Sequence, residues 1–114
     1  MGPQILQVNM KFNIPQKDLA SAWLGAAQPI ADVPGLRWKV WLMNESEREA
    51  GGIYLFDSRA AAEAYIAGPI VAALKASPAV SNISAKFFDV MDEHSAITRA
   101  PLIGHGLDAL EQSR

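Results

Sequence analysis

An α+β fold of the ferredoxin-like βαββαβ plait type is what this 114-residue sequence predicts: a four-stranded antiparallel sheet with two helices on one face. Three observations carry it. Four segments read as strands and two as helices, in the order β-α-β-β-α-β. The middle strands are joined by a turn too short for a helix, so they form a hairpin. Right-handed crossovers then leave few other ways to arrange the pieces.

The first strand is "QILQVNMKF", Gln4 to Phe12. Leu6, Val8, Met10 and Phe12 alternate with Gln7, Asn9 and Lys11, the pattern of a half-buried strand. The first helical segment follows, with Asn13 able to cap it and Pro15 tolerated in its first turn. Leu19, Trp23, Ala26 and Ile30 recur at helical spacing and make one apolar stripe. Pro29 is expected to kink this helix late or to end it and restart a turn. "VPG" then leads into the second strand, Leu36 to Asn44, rich in β-forming residues. "ESERE" is a polar turn, and Ala50 to Asp57 is the third strand. Asp57 or Ser58 caps the second helical segment, which Gly68-Pro69 breaks in two. Val80 to Met91 is the fourth strand, and a short helix, "EHSAITRA", follows Asp92. The whole chain, 1–114, reads as one domain with a core over about 4–92 and a short helix and tail over 93–114.

Bulk composition excludes several classes. The chain has no cysteine, so disulfides, thiolate nucleophiles and Cys-ligated metals are ruled out. Net charge is -2 and no basic cluster occurs, so neither nucleic acid nor an anionic membrane surface has electrostatic support. The start lacks the pattern of a signal peptide and no apolar run is long enough to span a membrane, so a cytoplasmic location is expected. The two histidines, His94 and His105, have no metal-ligand spacing. His94 reads as a solvated residue of the short helix, and His105 as part of the tail. No serine sits in a nucleophile elbow. Gly51-Gly52 falls within a strand and reads as a bulge or a close backbone approach rather than a phosphate cradle. Glu45, Glu47 and Glu49 belong to the turn and read as solvated charges.

The second face of the sheet is informative. Two helices cover one face only, so the other should be polar if it met water. It is not. Trp38, Val40 and Leu42 share one face, while Trp41 and Met43 point the other way. Ile53 and Leu55 oppose Tyr54 and Phe56; Ile83, Ala85 and Phe87 oppose Phe88 and Val90. A large apolar sheet face predicts a partner, most simply a second copy about a two-fold axis, closing a barrel-like core. A homodimer through the sheet face is therefore expected. The two indoles of "WKVW" divide between the faces, one under the helices and one at the interface, and alternation alone does not say which. Lys39 is read as sharing a face with neither, and as forming a cross-strand or cross-dimer ion pair unless it is buried in a cavity.

The residues able to carry a site are aromatic and polar: Trp38, Lys39, Trp41, Tyr54 and Tyr65, with Phe56 and, on the first strand, Asn9 and Lys11. Tyr65 either fills the core or overhangs a cavity between helix and sheet. The blocks "PGLRWKVW", "REAGGIYLF", "AAAEAYI" and "AKFFDV", spread over about Leu6 to Leu102, resemble the YdhR-type monooxygenase family of the dimeric α+β barrel group. That resemblance implies a cofactor-independent monooxygenase acting on a small electron-rich aromatic substrate, such as a phenol, anthrone or quinol. It implies no metal or flavin, an apolar pocket in which Trp and Tyr flank the ring, and a tyrosine hydroxyl or lysine managing the proton. The alternative is a non-catalytic, small-ligand-binding or stress-related dimer with the same pocket. Haem binding is disfavoured, because neither histidine is placed over the sheet as an axial ligand.

Overall fold

The structure, a computed structural model, describes residues 2–102. Its elements are β1 (Gln4–Phe12), α1 (Gln16–Leu24), α2 (Ala27–Ala31), β2 (Leu36–Asn44), β3 (Glu49–Phe56), α3 (Arg59–Ile66), α4 (Pro69–Ala76), β4 (Val80–Asp89) and α5 (Asp92–Ile97). The strands form one antiparallel sheet in the order β2-β3-β1-β4, the expected plait. The tail beyond 102, including His105, lies outside the described residues.

Alternation sets the core. Leu6, Val8, Met10 and Phe12 are buried on the helix side of β1, where they meet Leu19 of α1, Ile30 of α2, Ala62 and Tyr65 of α3 and Val71 of α4. Ala50, Tyr54 and Phe56 of β3 join them. The two glycines of β3 permit close backbone approach: a Cβ on Gly51 would stand 1.9 Å from the Val8 carbonyl oxygen. The β1–β3 register runs through both glycines without a shift, so close approach, not a bulge, is their role.

Three local details differ from expectation. Asn13 does not cap α1; Pro15 occupies the cap position, and the Asn13 amide donates to the Pro78 carbonyl at 3.0 Å. The break between α1 and α2 comes at Gly25-Ala26, before Pro29. Pro29 then sits in the first turn of α2, where a helix has no use for its missing N–H. β4 ends at Asp89, and Met91 is instead the residue preceding α5. The Ser58 cap and the Gly68-Pro69 break are as expected: the Ala61 amide donates to Ser58 Oγ at 3.1 Å, and α4 starts at Pro69.

One bulge decides the faces of β2. Leu36 pairs with Phe56 and Trp38 with Leu55, so Arg37 is an extra residue. Beyond it, Lys39 faces Tyr54, Trp41 faces Gly52 and Met43 faces Ala50. Cross-strand partners share a face. Lys39, Trp41 and Met43 therefore lie on the helix side with Tyr54, while Trp38, Val40 and Leu42 lie on the outer side. The outer face keeps apolar residues in view: Val40 is 51% exposed and Phe88 46%. Leu55, also outer, is nonetheless fully buried. The chain returns over this end of the face, where Trp38 Nε1 donates to the Pro101 carbonyl at 2.7 Å and Arg37 donates to the Leu102 carbonyl at 2.6 Å.

Candidate functional site

Between the sheet and its helices lies a cavity of about 530 Å³, within the range of small-molecule sites. β2 supplies Lys39 and Trp41, β3 supplies Gly52 and Tyr54, α3 supplies Tyr65 and α1 supplies Trp23. Four of the five site candidates thus come together: Lys39, Trp41, Tyr54 and Tyr65. The fifth, Trp38, does not; it is on the opposite face of the sheet, bonded to Pro101. Asn9 and Lys11 are also on the outer side, where the Lys11 ammonium donates to the Glu47 carbonyl at 3.0 Å. Phe56 is fully buried beneath the site, its ring 5.6 Å from that of Tyr65.

Local structure explains each placement. The apolar stripe of the first helical segment survives the α1–α2 break, so Leu19, Trp23, Ala26 and Ile30 all line the cavity. Trp23 meets Trp41 with ring centroids 5.9 Å apart and planes tilted by 49°. Ser58 caps the start of α3 and Ala67 its end, with Ala62 and Tyr65, one turn apart, on the buried side. Gly52 makes room for the lysine, because a Cβ there would stand 2.5 Å from Lys39 Cε.

Lys39 departs from its expected role. Period two puts residues 39 and 41 on one side of the strand, so the lysine does share a face with Trp41. Its Nζ stands 3.3 Å from the Trp41 ring centroid and 4.5 Å from that of Tyr54. Among the described residues the ion pairs are Arg37–Asp57 and Arg59–Glu63, and neither involves Lys39. Turned toward the helices, it is out of reach of a partner on the outer face. No buried polar side-chain atom of the described residues lacks a partner, so Nζ opens onto the cavity rather than being sealed. Burial lowers its pKa from 10.5 to about 7. Aromatic faces offset only about 0.5–2 kcal/mol of the cost of a partly desolvated ammonium, less than a carboxylate would, so desolvation wins.

The two tyrosines behave in the opposite sense. Their hydroxyls are 2.9 Å apart and their ring centroids 5.1 Å apart. Burial pushes both above the usual phenol range; for Tyr54 the neighbouring Tyr65 adds to the rise, and at Tyr65 the hydrogen bond with Tyr54 offsets part of it. Both remain protonated at neutral pH and can donate. The site therefore joins a weakly basic amine to a hydrogen-bonded pair of phenols with one O–H left to donate, within an apolar, aromatic wall. His94 is exposed on α5 and does not line the cavity, and no group of three His, Asp or Glu side chains among the described residues is placed to hold a metal.

Trp23 and Gly52 are the members that sequence reasoning did not assign to the site. The helical stripe already contained Trp23, and counting residues across the hairpin would have set Gly52 opposite Trp41.

Comparison with known structures agrees with this architecture. An NE2512 protein of unknown function from Nitrosomonas europaea superposes with a TM-score of 0.64 at 22% identity, covering 80% of this chain and 91% of that one. A variant of SnoaB, a cofactor-independent oxygenase from Streptomyces nogalater, gives 0.64 at 14% identity, covering 80% and 95%. The haem degrader MhuD from Mycobacterium tuberculosis gives 0.58 at 20% identity, covering 76% and 95%. At these identities the likeness is one of fold. A search of curated proteins finds no match. No helix among the described residues is long and apolar enough to cross a membrane. The sequence profile described as "Putative mono-oxygenase ydhR" matches residues 5–101, nearly the whole of the described chain, and the protein belongs to that family.

Proposed function

We propose that the cavity binds a small electron-rich aromatic, a phenol, anthrone or quinol, and promotes its direct oxidation by molecular oxygen, with Lys39 as the base. The observation that carries this is an amine with no carboxylate partner among the described residues, 3.3 Å from the Trp41 ring, at the wall of an apolar cavity. Unprotonated, Lys39 Nζ takes a proton from the phenol oxygen or the activated C–H. Of the hydrogen-bonded Tyr54 and Tyr65 hydroxyls, the one whose proton is not given to the other donates to the oxygen on which charge develops. The electron-rich anion passes electrons to O2 in one-electron steps and a C–O bond forms. Loss of a second proton from that carbon breaks the O–O bond, leaving a carbonyl and releasing water. The substrate supplies all the electrons, so an anthrone or naphthol plus O2 gives a quinone plus water with no other reductant. Likeness to a cofactor-independent oxygenase supports this reading.

Oxygen uptake with a panel of anthrones, naphthols and quinols tests it. Turnover should rise as pH increases through about 7, as Lys39 loses its proton. It should fall by at least about 100-fold in Lys39→Met, the usual scale for a lost general base. Saturable quenching of Trp fluorescence without oxygen uptake from any compound refutes the reaction and leaves the binding protein.

The second copy belongs to this proposal as well. A partner seated on the outer sheet face would cover Val40, Leu42 and Phe88, leaving each cavity within its own protomer. Light scattering during size-exclusion chromatography decides it; a stable folded monomer at micromolar concentration refutes the dimer.

A further inference from the structure

We propose that Lys39 is also a carbonyl-capturing nucleophile, condensing with a flat apolar aldehyde or ketone in the cavity to form an imine. The proposal uses the cavity of the oxygenase reading but does not depend on oxygen chemistry. Four features of the structure converge on it. The amine lines a cavity large enough for a two- or three-ring compound. Among the described residues no carboxylate pairs with it to hold it as an ammonium. Gly52 clears the space its Cε occupies. The ring it rests against, Tyr54, carries one of two hydrogen-bonded hydroxyls that stay protonated. Burial, which holds the amine far below an ordinary lysine, supplies the neutral nucleophile.

The steps balance without an external redox partner. The Nζ lone pair forms a bond to the carbonyl carbon, and the C=O π pair moves to oxygen. That oxygen takes a proton from a tyrosine hydroxyl, which is restored by a proton from the nitrogen. The carbinolamine then loses its hydroxyl as water, together with the last N–H proton, leaving the imine. An apolar cavity favours this loss of water. Trp23 and Trp41, which line the same cavity as the tyrosines, select a flat ring over an aliphatic chain, and among the described residues no cationic side chain besides Lys39 lines the cavity to receive a carboxylate.

The test is reductive trapping. The protein is incubated under argon with 6-methoxy-2-naphthaldehyde, treated with cyanoborohydride and mapped by peptide mass spectrometry. A single adduct is expected on Lys39, heavier by the mass of the aldehyde less one oxygen. Its yield should exceed that at exposed Lys17, Lys75 or Lys86 by at least about tenfold. Lys39→Met and Lys39→Arg, each confirmed as folded by circular dichroism, should lose that adduct. Labelling spread over the exposed lysines without preference for Lys39 overturns the proposal, as does undiminished specific labelling of Lys39→Met. Because oxygen is excluded, trapping can succeed where oxygen uptake fails, and the reverse, so the two readings fall separately.

Discussion

Replacing Lys39 by Met should make the protein more stable in acid and remove most of its pH dependence above neutrality. The fall from 10.5 to about 7 corresponds to roughly 5 kcal/mol against the charged form, at about 1.4 kcal/mol per pH unit. Below pH 7 the lysine is protonated in both folded and unfolded chains, so the wild type carries the whole of this desolvation cost. Between about pH 7 and 10.5 the unfolded chain holds the extra proton, and stability climbs with pH. Over the accessible span, about pH 7 to 9.5, this group alone adds roughly 3 kcal/mol. Met is close to Lys in length and fills the same apolar slot. The cation–π attraction to Trp41 and Tyr54, which Met cannot make, is worth only about 1 kcal/mol. Lys39→Met should therefore exceed the wild type by several kcal/mol near pH 6 and show a nearly flat profile up to pH 9.5. Above about pH 10 both proteins should weaken, since Tyr54 and Tyr65 stay protonated when folded but ionise when unfolded. Urea unfolding followed by circular dichroism across this range, at one fixed protein concentration, measures it. Parallel pH profiles for the two proteins would refute the desolvated amine on which the site rests.

Further outcomes follow from the same geometry. Gly51→Ala should destabilise by about 1–3 kcal/mol or more, since its Cβ would meet the Val8 backbone, whereas Gly52→Ala displaces chiefly the end of Lys39 and should lower trapping and turnover with a smaller loss of stability; urea midpoints set beside adduct yield separate them. Tyr54→Phe should cost about 1–3 kcal/mol by leaving the Tyr65 hydroxyl buried without its partner, and the double change to Phe should cost less than the two single changes together, as a double-mutant cycle would reveal. Val40→Asp, at an exposed outer position, should leave the fold and ligand-induced Trp quenching intact while raising the dimer dissociation constant by at least about tenfold, read by light scattering; unchanged association would remove the outer face as the interface.

The order of elements, the buried face of β1, the apolar stripe from Leu19 to Ile30, the Ser58 cap and the break at Gly68-Pro69 were all legible in the sequence. Each is a local matter of period, backbone restriction or capping, and residues close in the chain determine it. Alternation also divided the indoles of "WKVW" correctly between two faces. It could not say which face was which, because a period of two is blind to the layer on which the helices settle. The register of β2 against β3 supplied that, with the bulge at Arg37 between Leu36, which packs inward, and Trp38, which points outward. Lys39 is the sharpest case. By itself it reads as a surface charge seeking an acid. Only the assembled layers place it under the helices, over Gly52 and against Trp41, where burial, with no carboxylate partner among the described residues, makes it a weak base. Local sequence determined that this protein would be a plait with aromatic residues on both faces of its sheet. The tertiary structure decided that one of those faces holds a desolvated amine, because desolvation depends on everything packed around a group and not on its neighbours in the chain.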